Sequence, residues 1–95
     1  MRKLARSAFL FVVHGFVQGV GYRYMVKKAA DAYGICGFVR NADDGSVEIC
    51  AEGDASSISK FEAAIMVHHD NGPDVYRVYR KRVKHFGFDS FSIKH

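Results

Sequence analysis

Three glycines bracket a short stretch that ends in an arginine: Gly15-Phe16-Val17-Gln18-Gly19-Val20-Gly21-Tyr22-Arg23. A Gly-rich run between a strand and a helix can turn several backbone N–H groups toward one anion. A helix starting at Tyr22 adds about half a positive charge at the same place through its dipole. Arg23 then stands in the first helical turn, where its planar guanidinium can take phosphate oxygens two at a time. The chemistry read here is capture of one anion. The plainer alternative is a tight strand-to-helix turn with Arg23 in solvent. Two common phosphate-binding patterns are absent: there is no G-x-x-x-x-G-K-[ST], and no G-x-G-x-x-G falls between Gly15 and Gly21.

A second segment, Gly37-Phe38-Val39-Arg40-Asn41, runs into Asp44-Gly45-Ser46-Val47 and on to Gly53. Asn41 closes a strand just before an Asp-Gly turn. Asn in that position commonly forms turns. Its carboxamide can also hold a water, accepting one hydrogen bond and donating another.

Together the two segments resemble the acylphosphatase family. The family's first motif is a Gly, any residue, Val-Gln-Gly-Val, any residue, an aromatic or Met, then Arg; Gly15 to Arg23 fit it. Its second motif is matched by Gly37, Phe38, Val39, Arg40, Asn41, Gly45, Val47 and Gly53. The likeness runs over roughly residues 8–93. Two positions depart from it. Tyr22 stands where the family most often has Phe, and Phe16 stands where many members carry a basic residue.

The resemblance implies hydrolysis of the carboxyl–phosphate bond of acyl phosphates, with inorganic phosphate as product and inhibitor. It implies that Arg23 binds the phosphoryl group with the loop formed by Gly15, Phe16, Val17, Gln18, Gly19, Val20, Gly21 and Tyr22. Asn41 orients the attacking water. No metal, no cofactor and no phosphoenzyme are implied. Phosphoryl transfer of this kind needs placement and charge stabilisation more than covalent chemistry. That agrees with the matched motif positions, none of which is a Cys, Ser, His or carboxylate residue.

These residues need a strand, a helix and a hairpin to hold them. Ala8–Val13 is a continuous apolar run and reads as a strand buried on both faces. Tyr22, Met25, Val26, Ala29, Ala30 and Tyr33 recur at helical spacing, and Gly34 follows as a C-cap. Ile35–Asn41 and Ser46–Glu52 read as two strands of a hairpin. Val47, Ile49 and Ala51 point one way there, Glu48 and Cys50 the other. Asp54 caps a second helix whose inner face holds Ile58, Phe61, Ile65 and His68, and Asn71-Gly72-Pro73 ends it. Val75–Val83 reads as a charged edge strand and Phe86–Ile93 as a final strand. The order β-α-β-β-α-β, with an extra C-terminal strand, predicts an α+β ferredoxin-like split βαβ sandwich. Two helices cover one face of a mostly antiparallel sheet.

Composition sets the remaining bounds. At 95 residues the chain is one domain, 1–95. Hydrophobic residues at 48 %, with eight Phe and five Tyr, exclude disorder. The apolar run Ala8–Val13 is far short of the roughly 20 residues that span a bilayer. It is also too short for the core of a signal peptide after Met1-Arg2-Lys3. The net charge of +4 divides into +6 over residues 1–30, −6 over 31–70 and +4 over 71–95. Basic ends around an acidic middle suit one local anion site as well as a polyanion.

Nucleic acid is the rival partner. Lys84-His85-Phe86-Gly87-Phe88-Asp89-Ser90-Phe91 partly mimics the RNP1 octamer of RNA-recognition motifs, but His85 and Asp89 break the pattern. Its C-terminal place is also wrong for RNP1, so no RNA binding is expected. Arg80-Lys81-Arg82 and Lys84 read as a guard on a sheet edge. His68-His69 lack metal-pair spacing, and His14 reads as structural. Cys36 and Cys50 read as small buried hydrophobes on neighbouring strands. The whole reads as a cytoplasmic monomer.

Overall fold

A sheet that is apolar on one side needs a cover on that side, and two amphipathic helices supply it here. The computed structural model describes residues 6–95; the basic start Met1-Arg2-Lys3 lies outside them. Strand β1 (Arg6–Phe16) leads to helix α1 (Tyr22–Tyr33), then to β2 (Cys36–Asn41) and β3 (Val47–Asp54). Helix α2 (Ala55–Ile65) follows, then β4 (Asp74–Arg82) and β5 (Phe91–Lys94). The sheet order is β4-β1-β3-β2-β5. All pairings are antiparallel except β2 with β5, which is parallel. This is the expected α+β ferredoxin-like sandwich, with the extra strand at one edge. The Arg80-Lys81-Arg82 run lies on the other edge strand, where charge discourages further pairing.

The helix periodicities are realised. Tyr22, Val26 and Ala30 form the buried stripe of α1, and Gly34 closes it in a left-handed conformation (φ 68°). Tyr33, at the last turn, is exposed. Asp54 caps α2 by accepting the Ser57 N–H at 2.8 Å, and Ile58, Phe61 and Ile65 face inward. Helix α2 stops at Ile65, so His68 is not on its inner face. It is exposed and meets Asp74 Oδ1 at 2.9 Å through Nδ1. Phe61 links the layers, with ring centroids 6.3 Å from Phe11 and 6.1 Å from Phe91. Burying each such ring contributes about 1.5–3 kcal/mol relative to exposure.

Strand β1 differs from its sequence reading in two ways. Phe11 and Val13 are fully buried under the helices, but Leu10 and Val12 are half-buried, because no second helix layer covers their face. The strand also runs on through Gly15 and Phe16, with an irregularity between His14 and Gly15. Gly15 has φ 147°, and a Cβ there would lie 2.2 Å from the Asp74 carbonyl oxygen. Only glycine lets β1 and β4 approach so closely at the point where the chain leaves the sheet. His14 beside it packs edge-on against Tyr79 at 5.7 Å, a structural role. Cys36 and Cys50 are half-buried on the uncovered face, not in the core. They sit diagonally, opposite Glu52 and Phe38 respectively, and both are free thiols.

The predicted strand Phe86–Ile93 shortens to Phe91–Lys94 for an electrostatic reason. Glu52 points to the uncovered face yet is only 1 % exposed, because the connection after β4 crosses over it. Its carboxylate accepts the N–H groups of Phe86, Gly87 and Phe88, the last two at 3.0 Å, and His85 Nε2 lies 3.5 Å away. Those N–H groups are committed to a carboxylate, so they cannot join a ladder. The RNP1-like octamer therefore crosses the sheet as irregular chain, and only Phe91 enters a strand, at the edge. The same anchoring delivers β5 to β2, where the Gly37 N–H donates to the Ser90 carbonyl at 2.9 Å.

Burial alone would raise the Glu52 pKa, but the three N–H donors and His85 outweigh it and hold the carboxyl below its usual range. A depressed folded pKa gives stability that is full above the ordinary Glu range. That stability is lost as pH falls through the folded value. Glu52→Gln is expected to cost about 1–3 kcal/mol at neutral pH and to flatten the acid limb of the stability curve. Urea unfolding across pH measures both; an acid limb as steep as wild type would remove Glu52 from this role.

Candidate active site

Val17 drives its side chain into the core (1 % exposed) and so fixes the loop between β1 and α1. Beyond it the chain turns through Gly19 (φ 76°) and Gly21 (φ 80°), both left-handed, where a side chain would be strained. Gly21 is also the N-cap of α1 and offers no capping side chain. The first N–H groups of a helix have no partner within it. Among the described residues, none of the N–H groups from Gln18 to Tyr24 has a backbone or side-chain acceptor. The loop thus presents a row of donors at the positive end of a helix dipole.

Arg23 is the second residue of α1 and half-buried. Its Nη1 donates to the Lys94 carbonyl at 2.8 Å, which ties the guanidinium to the end of β5. A guanidinium has five donors, so this tether leaves most of them for a ligand.

Asn41 is exposed at the end of β2 and pairs in register with Val47. The hairpin beyond it is tightly closed. The Ala42 N–H donates to the Ser46 carbonyl at 2.9 Å, and the Gly45 N–H to the Ala42 carbonyl at 3.2 Å. Asp44 Oδ1 accepts from both the hydroxyl and the N–H of Ser46, at 2.6 and 2.9 Å. Those bonds, with His14 as a lesser contributor, hold the Asp44 carboxyl below its usual range. Gln18 reaches across from the loop, and its Nε2 donates to both the Ala42 and Ser46 carbonyls at 2.8 Å.

Two depressions result. The larger, about 660 Å³, is lined by Arg23 and Asn41 with Arg40, Ala42, Asp43 and Lys94 among others. The smaller, about 240 Å³, is lined by Val17, Gly19, Gly21, Tyr22 and Arg23. Arg23 belongs to both. Arg40 is held by Glu48, with Nε 2.6 Å from Oε1. Among the described residues, no group of three or more His, Cys, Asp or Glu could hold a metal ion.

Of the residues singled out in the sequence, Arg23 and Asn41 share the large cleft. Val17, Gly19, Gly21 and Tyr22 share the small recess with Arg23. Gly15 and exposed Phe16 belong to β1, Val20 packs against the core, and Gln18 turns its amide to the hairpin. The Lys94 carbonyl escaped the sequence reading, because a backbone oxygen carries no residue-type signal.

The family model that matches this chain, described as acylphosphatase, spans residues 9–93. The chain belongs to the acylphosphatase family. Among curated acylphosphatases, that of Mannheimia succiniciproducens is 43 % identical over 89 residues, covering 90 % of this chain and 94 % of its own. That of Listeria monocytogenes is 45 % identical over 76 residues, covering 80 % and 82 %. The crystal structure of acylphosphatase from Bacillus subtilis superposes with a TM-score of 0.84 at 35 % identity, covering 94 % of this chain and 99 % of that one. Of the two residues that depart from the family pattern, Phe16 is exposed, and the hydroxyl of Tyr22 has a place. It donates to the Ile65 carbonyl at 2.8 Å, at the end of α2, while burial pushes the phenol far above its ordinary range. The extra oxygen therefore ties α1 to the end of α2. No helix among the described residues of this acylphosphatase-family chain is long and apolar enough to cross a membrane.

Proposed function

We propose that this protein hydrolyses acyl phosphates, using Arg23 and the loop N–H groups to bind the phosphoryl group and Asn41 to orient the attacking water. The observation that carries this reading is Arg23 itself. It lines both a recess edged by unpartnered N–H groups and the cleft that holds Asn41. The phosphoryl group occupies the recess, its charge met by the guanidinium and the helix start. The acyl oxygen leaves from the face of phosphorus opposite Asn41, in line with the attacking water. Water held by the Asn41 carboxamide attacks phosphorus as the bond to the acyl oxygen breaks. The carboxylate departs with the bonding electrons. It is a good leaving group and needs no strong general acid. The water's proton passes to a phosphate oxygen of the substrate.

Arg23 and Lys94 supply positive charge at the cleft, with Arg40 paired to Glu48, and the reading assigns the reaction no metal, cofactor or phosphoenzyme. Inorganic phosphate fits the same recess and inhibits as product. Arg23 and the Lys94 carbonyl that tethers it belong to one chain, which suits a protein that acts as a monomer. Two free thiols suit the cytoplasm.

Benzoyl phosphate is the test substrate. Steady turnover is expected, unchanged by a strong chelator and competitively inhibited by phosphate. No turnover by folded protein would overturn the reading.

A further inference from the structure

The loop and the hairpin meet through one side chain. Gln18 Nε2 carries two hydrogens, and both are spent, one on the Ala42 carbonyl and one on the Ser46 carbonyl. These acceptors lie 24 and 28 residues away, on either side of the turn that follows Asn41. Ala42 is the next residue after Asn41, and Ser46 immediately precedes Val47, the register partner of Asn41. Each carbonyl has two lone pairs. In each, one takes a hairpin N–H and the other takes Gln18: Gly45 and Gln18 at Ala42, Ala42 and Gln18 at Ser46. Of the two heavy atoms of the amide, only the nitrogen can donate to the two carbonyls, so the orientation of the Gln18 amide is fixed by its partners.

We propose that Gln18 is a positioning residue that sets Asn41, and the water it holds, at a fixed distance from the phosphate loop. The inference rests on the roles assigned above to Arg23 and Asn41. Gln18 lies between Val17 and Gly19, which line the recess. Its backbone is therefore part of the loop that edges the recess, while its amide bonds to the hairpin. A nucleophile misplaced by about an ångström can cost on the order of 100-fold in rate. A residue acting in this way lowers kcat and leaves ground-state binding of phosphate nearly intact.

Gln18→Met keeps length and bulk but removes both donors. Gln18→Glu sets carboxylate oxygens against two carbonyl oxygens. Each is expected to lower kcat on benzoyl phosphate roughly 10- to 100-fold, Glu more than Met, with the phosphate inhibition constant little changed. In an Asn41→Ala background, Gln18→Met should cost nothing further, because it acts through Asn41. Losses that multiply in the double variant, or phosphate affinity that falls in step with kcat, would overturn the proposal. A readout without turnover separates it from the functional reading. Phosphate titrated into labelled wild type should shift the amide resonances of both the loop and residues 41–47. In Gln18→Met only the loop should respond, and a hairpin response as large as wild type would overturn the coupling. If wild type turns over no acyl phosphate, the functional reading fails, and this titration still decides the coupling.

Discussion

Arg23→Gln is expected to abolish hydrolysis of benzoyl phosphate and inhibition by phosphate together. One guanidinium lines the recess and the cleft, so it meets both the substrate's phosphoryl group and the product. Glutamine is neutral and shorter, and it loses the planar fork that bonds two phosphate oxygens at once. Removing a single neutral oxyanion donor typically costs 10²–10³ in kcat. Loss of a charged bidentate one should reach the upper end of that range or beyond, on the order of 10³-fold. Arg23→Lys should fall between, because it retains the charge without the fork. The fold should survive, since Arg23 is half-exposed and its recorded protein partner is one carbonyl, Lys94. A Gln variant that folds, is inactive and yet still binds phosphate with wild-type affinity in a titration followed by amide resonances would move phosphate binding wholly to the loop N–H groups.

The tether to Lys94 connects this prediction to the rest of the fold. Arg23 is held from β5, and the chain that leads into β5 is anchored on the uncovered face by Glu52, which collects the N–H groups of residues 86–88. The sequence displays the parts of this chain of contacts unequally. The helix stripes, the Asp54 cap and the alternation of Val47, Ile49 and Ala51 follow from local periodicity, and they were legible. Arg23 and Asn41 were legible as residue types at motif positions. The end of β1 was not, because pairing with β4 carries the strand through Gly15, a residue that read as the start of a loop. The segment 86–90 misled for a related reason. Its aromatics favour a strand, but a buried carboxylate from a distant strand claims its N–H groups. Gln18 shows the limit most clearly. Its type stands in the motif, yet its partners are two carbonyls on another element, and carbonyls are the same in every residue.

Asn41→Ala is expected to separate catalysis from binding. The carboxamide offers an acceptor and a donor to one water, and alanine offers neither. The phosphoryl site on the other side of Arg23 stays complete, so phosphate inhibition should persist near its wild-type strength. Turnover should fall on the order of 10²- to 10³-fold, the range expected when a positioned nucleophile becomes a diffusing one. Asn41 is exposed at the strand end, and its backbone pairing with Val47 does not depend on its side chain, so stability should change by less than about 0.5 kcal/mol. Asn41→Asp sharpens the test. It keeps the shape and an acceptor, but above its pKa it places a negative charge in a cleft meant for an anionic substrate. Its residual activity should therefore decline as pH rises through the carboxylate range, whereas that of Asn41→Ala should not. Equal losses of kcat and of phosphate affinity in the alanine variant would instead make Asn41 part of the phosphate site, with the water held elsewhere. The Gln18 coupling would then have no water to position, so the phosphate inhibition constant of Asn41→Ala is the measurement on which both assignments turn.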